Sequence, residues 1–419
     1  RTTIWESRVE LLEYEQALQT ELKFEEQSIK AKMDHDDDTL RACWELCANC
    51  VGLWEDLLKT RKNKIRPYTL RQFEACRVYT RLIDHGTRIL AKLHEYDLEA
   101  VMLRKLLNQK VYRVPKRGRW YDRLALVQSK KKDRQTKKQV LALCIEGIQD
   151  PTVHSIDLHK LHRWVHKLQR DLAIPKREQL DFSYLKLRKP EKRIIYGERV
   201  SEAVIGRKAI WRADDGAECS VEELSLSYYK KQGYQQGHHT EGGMISMLFM
   251  FLFWDIVFAP MDGVFETPYQ TAPLDMGSDA FYAGRVSMIN ERIGEIEQGK
   301  FLELITQVDE RERSRETVCI GVNWKYTTEE LLQMAECIGA IALSSLCRLL
   351  AEEFGQRRGG MPDLCCWDYE SKRCIFVEVK GPGDSLSETQ KAWIDTLAGF
   401  GLNVEVCHVQ VWTGDDMLL

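Results

Sequence analysis

Between residues 70 and 172 apolar side chains return at helical spacing in six successive segments, 70–83, 86–95, 97–108, 119–128, 136–148 and 157–172, separated by short connections. Phe73, Cys76, Val78, Tyr79 and Leu82 form one such stripe, and Leu98, Val101, Leu103 and Leu106 another. Near the C-terminus the period changes. Leu364–Trp367 and Cys374–Lys380 are short and strand-like, and Asp368–Lys372 links them in the manner of a hairpin. A chain of 419 residues that changes period in this way predicts a multidomain protein, α in its first part and α/β in its last.

Apolar residues make up 44% of the chain and charged residues 30%, which excludes a disordered polymer, a collagen and a disulfide-stapled miniprotein. The 13 cysteines are scattered and suit reduced thiols in a cytosolic or nuclear compartment. No secretory signal opens the sequence, and a start at Arg1 reads as a chain lacking its natural first residues. Charge is unevenly divided. Residues 101–200 hold 26 basic and 10 acidic side chains, a net of +16, while residues 201–419 hold 19 and 35, a net of −16. A basic middle points to a polyanion on one surface, and an acidic C-terminal part can supply carboxylates to metals.

The spacing predicts a helix over residues 3–30, an exposed loop at Asp34–Asp38 around His35, and a second helix over residues 40–58. Cys43, Cys47 and Cys50 fall on one side of that helix with Leu40, Leu46 and Trp54, a core pattern rather than a zinc site. The paired helices that follow resemble a tetratricopeptide-like solenoid. Within them lies VYRVPKRGRWYDRL at 111–124. Pro115 and Gly118 punctuate a turn, Trp120, Tyr121 and Leu124 anchor a helix, and Lys116, Arg117, Arg119 and Arg123 are expected to project near its start as a phosphate cradle. His159, His162 and His166 share a helix side without a carboxylate in register, so they read as a polar or phosphate-facing edge.

From 181 to 212 the pattern is irregular, with short strands suggested by Ile194–Ile195, Ala203–Ile205 and Ala209–Trp211, punctuated by Gly197 and Gly206. Ser220-x-x-Glu223 opens a helix over 220–232 with a capping box. The apolar run Met244–Val257 is 14 residues long and contains Asp255, which is short of the roughly 20 needed to cross a bilayer and predicts a buried helix. Before it stand His238, His239 and then Glu241-Gly242-Gly243, whose glycines permit a tight turn bringing Glu241 toward whatever the helix supports. A long helical stretch covers 328–354.

Period two places Ile375, Val377 and Val379 on one face of the Cys374–Lys380 strand and Phe376, Glu378 and Lys380 on the other. Asp363, at the mouth of the neighbouring strand, reaches the same place. Two carboxylates beside a lysine suit a metal-dependent phosphodiester hydrolase. Asp363 and Glu378 hold Mg²⁺ or Mn²⁺, the Val379 carbonyl serves as a further ligand, and Lys380 orients or deprotonates the attacking water. A bare Glu-x-Lys is ordinarily a surface ion pair. Here a Pro-Asp 15 residues earlier, a Gly-Gly before it and the apolar strand around the pair argue for chemistry. The next helix has Ser387 as its N-cap and Gln390 as the N3 partner, buries Trp393, Ile394 and Leu397, and stops at Gly399 and Gly401 before a strand over 403–412.

Arg358-Gly359-Gly360-Met361-Pro362-Asp363, then Glu378-Val379-Lys380-Gly381-Pro382, then Leu386-Ser387-x-x-Gln390 resemble the VRR-NUC branch of the PD-(D/E)xK nuclease superfamily. With RGRWYDRL at 117–124, SVEELSLSYY at 220–229, Glu241-Gly242 and VEVCHV at 404–409, the chain is similar to the Fanconi-associated nuclease family over residues 75–412. That resemblance implies a TPR-like helical repeat region followed by a restriction-endonuclease-like, mixed-sheet VRR-NUC core. It divides the chain into an N-terminal helical or linker region at 1–69, with the SAP domain absent or incomplete, repeats with a basic DNA-binding surface at 70–180, a connecting or inserted segment at 181–219, and the nuclease domain at 220–419.

The resemblance further implies a structure-selective, metal-dependent DNase of the nucleus, a 5′ flap endonuclease and 5′-to-3′ exonuclease for interstrand-crosslink repair, with a Fanconi-pathway protein partner. Its catalytic residues fall on Glu241, Asp363, Glu378 and Lys380, with Gln390 supporting, and its metal ligands on Glu241, Asp363, Glu378 and Val379. DNA phosphates are assigned to Arg117, Arg119 and Arg123 of the basic segment and, because two basic positions of the family's 5′-phosphate pocket read Gly355 and Thr389 here, to Arg357, Arg358 and Lys391 as partial substitutes. The alternatives are a non-catalytic DNA-structure-binding scaffold, or a PD-(D/E)xK nuclease acting on RNA or as a restriction-like DNase.

Overall fold

The computed structural model describes residues 3–34, 36–61, 66–201, 209–278 and 280–412. The chain divides into two compact units, the first comprising Arg1–Lys186, Met261–Glu266 and Ser278–Gly284, the second Leu187–Pro260, Thr267–Gly277 and Arg285–Leu419.

The first unit is helical: α1 (Arg8–Asp34), α2 (Asp37–Arg61), α3 (Ala75–Lys92), α4 (Tyr96–Asn108), α5 (Arg117–Gln128), α6 (Arg134–Gln149) and α7 (Ser155–Asp171). Each packs on its neighbour in the chain, the arrangement that short connections between amphipathic helices impose. One continuous core runs from Ala17 and Phe24 through Cys43, Cys47 and Trp54 to Leu161 and Leu172. The seam expected at residue 70 is therefore not a boundary, since α1 and α2 bury their apolar sides against α3. The three cysteines of α2 are core residues, and burial pushes the Cys47 thiol far up. Where two helices were expected at 70–83 and 86–95, α3 runs unbroken. The apparent break is a close crossing. A Cβ on Gly86 would stand 3.1 Å from atoms of Cys47 and of Trp44, and buried Asp84 accepts the indole N–H of Trp120 at 2.7 Å.

The second unit is built on a five-stranded sheet from β1 (Glu191–Gly197), β5 (Gln236–His239), β6 (Leu364–Asp368), β7 (Arg373–Lys380) and β8 (Asn403–Val411), in the order β1-β8-β7-β6-β5. β1, β8 and β7 are mutually parallel, and β7, β6 and β5 are antiparallel. The mixed sheet agrees with expectation, but β1 comes from the segment taken as a connector and β5 was not anticipated. A separate small sheet joins β2 (Arg199–Ser201), β3 (Ile210–Arg212) and β4 (Glu218–Cys219). The strand expected at Ala203–Ile205 lies outside the described residues.

One sheet face, carrying Ile195, Leu364, Ile375, Val377, Val379, Cys407 and Val409, forms a core with α8 (Val221–Lys231). The Ser220–Glu223 capping box opens that helix as expected. α9 (Gly243–Leu252) and α10 (Trp254–Val257) take up the apolar run and bury nearly all of it, and among the described residues no single helix is long and apolar enough to cross a membrane. The remaining helices are α11 (Ala280–Glu297, broken at Arg285), α12 (Phe301–Glu312), α13 (Thr328–Ile338), α14 (Ala340–Glu353) and α15 (Glu388–Gly399). The single stretch expected over 328–354 is two helices bent by 103°, because Gly339 stands at φ +80°, outside the helical region and accessible at low cost only to glycine.

Candidate active site

Asp363 ties three elements together. Its Oδ2 accepts the Val379 N–H at 2.7 Å, so the carboxylate is held against β7. Its carbonyl accepts the N–H groups of Thr240 and Glu241 at 2.9 and 3.2 Å, so the turn between β5 and α9 hangs from the same residue. In that turn Glu241 has φ +45° and Gly242 φ +84°. A left-handed glutamate is uncommon and signals that the backbone is forced to point this side chain. A Cβ on Gly242 would lie 2.8 Å from the Met361 side chain, so a larger residue is excluded beside the Pro-Asp segment.

Glu378 is only 1% exposed. Lys380 Nζ lies 2.8 Å from its Oε1, which also accepts a hydrogen bond from Gln390 Nε2 on α15. The Ser387–Gln390 capping box fixes the start of α15, so the helix cap and the glutamine contact are one construction. Glu378 Oε2 is buried without a hydrogen-bond partner. Burial is the main cause that raises the Glu378 carboxyl to about 7, with the Asp363 charge adding and Lys380 opposing. Asp363 is raised too, chiefly by burial, against the lowering effect of the Val379 N–H and Lys380.

One ligand atom each from His239, Glu241 and Asp363 fall within 4.8 Å of one another. His239 Nε2 stands 3.5 Å from Glu241 Oε1. The alternation of β5 turns the adjacent His238 away, to Glu330 at 2.7 Å. A divalent cation fits this donor set. Exposed Glu241 and His239 converge with Asp363, and the orphaned Oε2 of Glu378 is a buried acceptor that hydrogen bonding within the protein leaves unused. His239 was not anticipated as a site residue; its signal was the histidine pair just ahead of Glu241-Gly242. The structure thus brings together Glu241, Asp363, Glu378, Lys380 and Gln390, with Val379 supplying its N–H to Asp363.

The arginines sort differently. Arg117, expected to meet phosphate, is an interior residue at 1% exposure: its guanidinium bonds Asp150 at 2.7 Å and the carbonyls of Leu107 and Gln109. The reason is the helical wheel, which aligns Arg117 with Trp120, Tyr121 and Leu124 on the buried side of α5. Arg119 is exposed, and Arg123 forks onto buried Glu99 at 2.6 and 2.9 Å. With Arg88, Asp84 and Trp120 they line a cleft of about 300 Å³ in the helical unit. Lys116 borders the same positive cluster; burial and the charges of Arg113 and Arg119 lower its pKa. Arg357, also assigned to phosphate, is buried: it pairs with Glu353 at 2.9 Å and lies over the Trp393 ring at 5.1 Å. It bolts α14 to α15 instead. Arg358 is exposed, and half-buried Lys391 pairs with Glu388 at 2.9 Å. Of the histidine row, His159 Nδ1 meets the Leu185 carbonyl at 2.8 Å, and the one metal-type cluster among the described residues lies elsewhere.

An acid at the head of one strand, a Glu-x-Lys on the next and a glutamine returned by the following helix define a nuclease fold of the PD-(D/E)xK class. Residues 300–411 match the VRR-NUC domain family, and residues 11–169 match the TPR domain of Fanconi-associated nuclease 1. The chain belongs to the Fanconi-associated nuclease family. It is 37% identical over 340 residues to the Fanconi-associated nuclease 1 homolog of Schizosaccharomyces pombe, covering 80% of this chain and 48% of that protein. With Fanconi-associated nuclease 1 of Homo sapiens it shares 35% over 367 residues, covering 82% of this chain and 35% of that protein. The chain thus spans about half, or less, of the curated relatives it matches. In fold it is similar to paFAN1 in a crystal structure bound to 2-nucleotide 5′ flap DNA with a gap, at a TM-score of 0.66 and 21% identity, covering 88% of this chain and 63% of that one.

Proposed function

We propose that this chain is a divalent-metal-dependent DNA nuclease that cuts at 5′ flaps, digests from 5′ to 3′, and serves interstrand-crosslink repair in the nucleus with a Fanconi-pathway partner. The observation that carries the chemistry is the cluster of His239, Glu241 and Asp363 at the head of one strand, with the buried Glu378–Lys380 pair on the strand beside it. The DNA substrate is supported by the family and by paFAN1, which was crystallised on 5′ flap DNA.

Asp363, Glu378, Glu241 and His239, with the Val379 carbonyl, would hold Mg²⁺ or Mn²⁺, and an imidazole among hard oxygens suits Mn²⁺ better than Mg²⁺. When bound, the cation supplies Lewis-acid polarisation of the phosphoryl oxygens. The chain's own groups do the rest. The Val379 N–H fixes the Asp363 carboxylate, and Gln390 and Lys380 fix Glu378 Oε1, so both acids are oriented before substrate arrives. Lys380 Nζ, paired with Glu378 Oε1, would orient the attacking water through a remaining N–H and offset the negative charge that develops. The exposed cations bordering the cleft in the helical unit, Arg119 foremost, meet phosphate.

The test is incubation of the protein with labelled 5′ flap, 3′ flap, splayed-arm and single-stranded DNA, and matched RNA, in Mg²⁺, Mn²⁺, Ca²⁺ or EDTA. Cleavage in Mg²⁺ or Mn²⁺ that favours 5′ flap DNA is expected. Equal cutting of RNA, or no cutting with any metal, would overturn the proposal.

A further inference from the structure

The parallel strands beyond the catalytic one extend the face that carries Glu378 and Lys380. The register sets Lys380 beside His408 and His408 beside Ile194; one row back, Glu378 stands beside Val406 and Val406 beside Lys192. Tyr196 stands beside Gln410 in the row ahead. Cross-strand partners point to the same face, so Lys192, Ile194, Tyr196, His408 and Gln410 share the face of the catalytic pair. Adjacent strands lie about 4.8 Å apart, which puts Ile194 roughly 10 Å from Lys380.

Two features separate this strip from the rest of the sheet. The first is cover. Phe376, Val404 and Val406 on this face are buried, whereas Ile194 and Tyr196 are 52% and 51% exposed and Lys192 is exposed as well. The second is charge. The acids of β1 and β8, Glu191 and Glu405, point to the opposite face, where Arg193 and the Tyr229 hydroxyl hold Glu405. The catalytic side of these two strands therefore carries Lys192, His408, Gln410 and the exposed Ile194 and Tyr196, with no carboxylate. His408 feels the field: partial burial and then the charges of Lys192 and Lys380 lower its pKa.

We infer that this strip is a platform for an unpaired stretch of the DNA strand being cut, with a base stacked on Tyr196 and the backbone running past Lys192 and His408 to the metal centre. The inference rests on the nuclease reading above and adds to it where the strand lies. An aromatic ring beside cations and free of acids is the combination that binds single strands without reading their sequence. Tyr196 lies two residues, about 6.6 Å, further along β1 than Ile194 and so roughly 12 Å from Lys380; at about 3.4 Å per stacked nucleotide, the base on it belongs about four nucleotides or fewer from the scissile phosphate.

The test uses the full chain and a single-stranded thymidine octamer carrying one 5-iodouracil, in EDTA so that nothing is cut. Photocrosslinks are mapped by mass spectrometry, and affinity is followed by anisotropy for the parent, Tyr196→Ala and Tyr196→Phe. The expected result is a crosslink within residues 191–197, binding weakened roughly 5- to 100-fold by the alanine, and parent-like binding by the phenylalanine, because a stack needs the ring and not the hydroxyl. Thermal stability of all three should agree, since Tyr196 is half exposed. Crosslinks confined to other segments, or unchanged binding by a folded Tyr196→Ala protein, would overturn the platform. If the octamer crosslinks as expected yet no metal supports cleavage, the platform stands and the nuclease reading fails.

Discussion

Glu378 should make the metal-free protein less stable as pH rises. Its folded carboxyl is raised from 4.5 to about 7, mainly by burial. Between those values the folded state binds the proton more tightly than the unfolded chain, so this group's contribution is fullest below about 4.5 and is lost as pH rises through about 7. At 1.36 kcal/mol per unit, the loss between pH 5 and pH 8 is about 2.5 kcal/mol. Glu378→Gln keeps the shape and cannot ionise. The variant's stability relative to the parent should therefore rise by about that amount across the same interval. The assay is urea-dependent hydrogen exchange of the β6 and β7 amides in EDTA at both pH values. Added Mn²⁺ should then stabilise the parent at pH 8 and leave the variant nearly unchanged. Parallel stability profiles for the two proteins would refute the argument, since they would mean that Glu378 is solvated or already neutralised.

Arg117→Ala should cost about 3–5 kcal/mol, because it strands buried Asp150, and a chemical-denaturation series would register it as lost folding rather than altered DNA contact. Gln390→Ala removes the partner that orients Glu378 Oε1 and should lower Mn²⁺ affinity, measured by calorimetry, roughly 10- to 100-fold. Arg119→Ala should weaken duplex binding and reduce the slope of log affinity against log salt by about 0.9 per lost phosphate contact, while a change at Glu99-bound Arg123 should do less; fluorescence titration over a salt series compares them.

The legibility of this protein follows how local each signal is. Period two alone put Glu378 and Lys380 on one face, and the capping spacing alone put Gln390 at the start of α15, because both patterns are set within a few residues. Arg117 misled because its partner, Asp150, lies 33 residues away, although the spacing to Trp120 and Tyr121 already pointed inward. Arg357 misled likewise, since the Trp393 ring that covers it belongs to a helix beyond two strands. β5 was invisible because a four-residue strand of glutamine, glycine and two histidines has no strand propensity, and pairing with β6 alone makes it one. His239 went unseen with it. Gly339 was passed over inside an apolar helical pattern, where its left-handed φ breaks the helix without any proline to announce it. The continuity of α3 through Gly86 was hidden by the opposite circumstance, a glycine kept for close packing rather than for a turn.

The central claim is that the Asp363–Glu378–Lys380 centre hydrolyses DNA phosphodiesters with a divalent metal. Its most direct measurement is single-turnover cleavage of a labelled 5′ flap in Mn²⁺ by the parent and by Asp363→Asn, with DNA affinity measured in parallel in EDTA. Asparagine keeps the size of the side chain and an oxygen for the Val379 N–H, but gives up the charge. The account predicts parent-like DNA affinity and cleavage below a few per cent of the parent. An Asp363→Asn protein that cut at the parent rate, or a parent whose cutting persisted in EDTA, would contradict it.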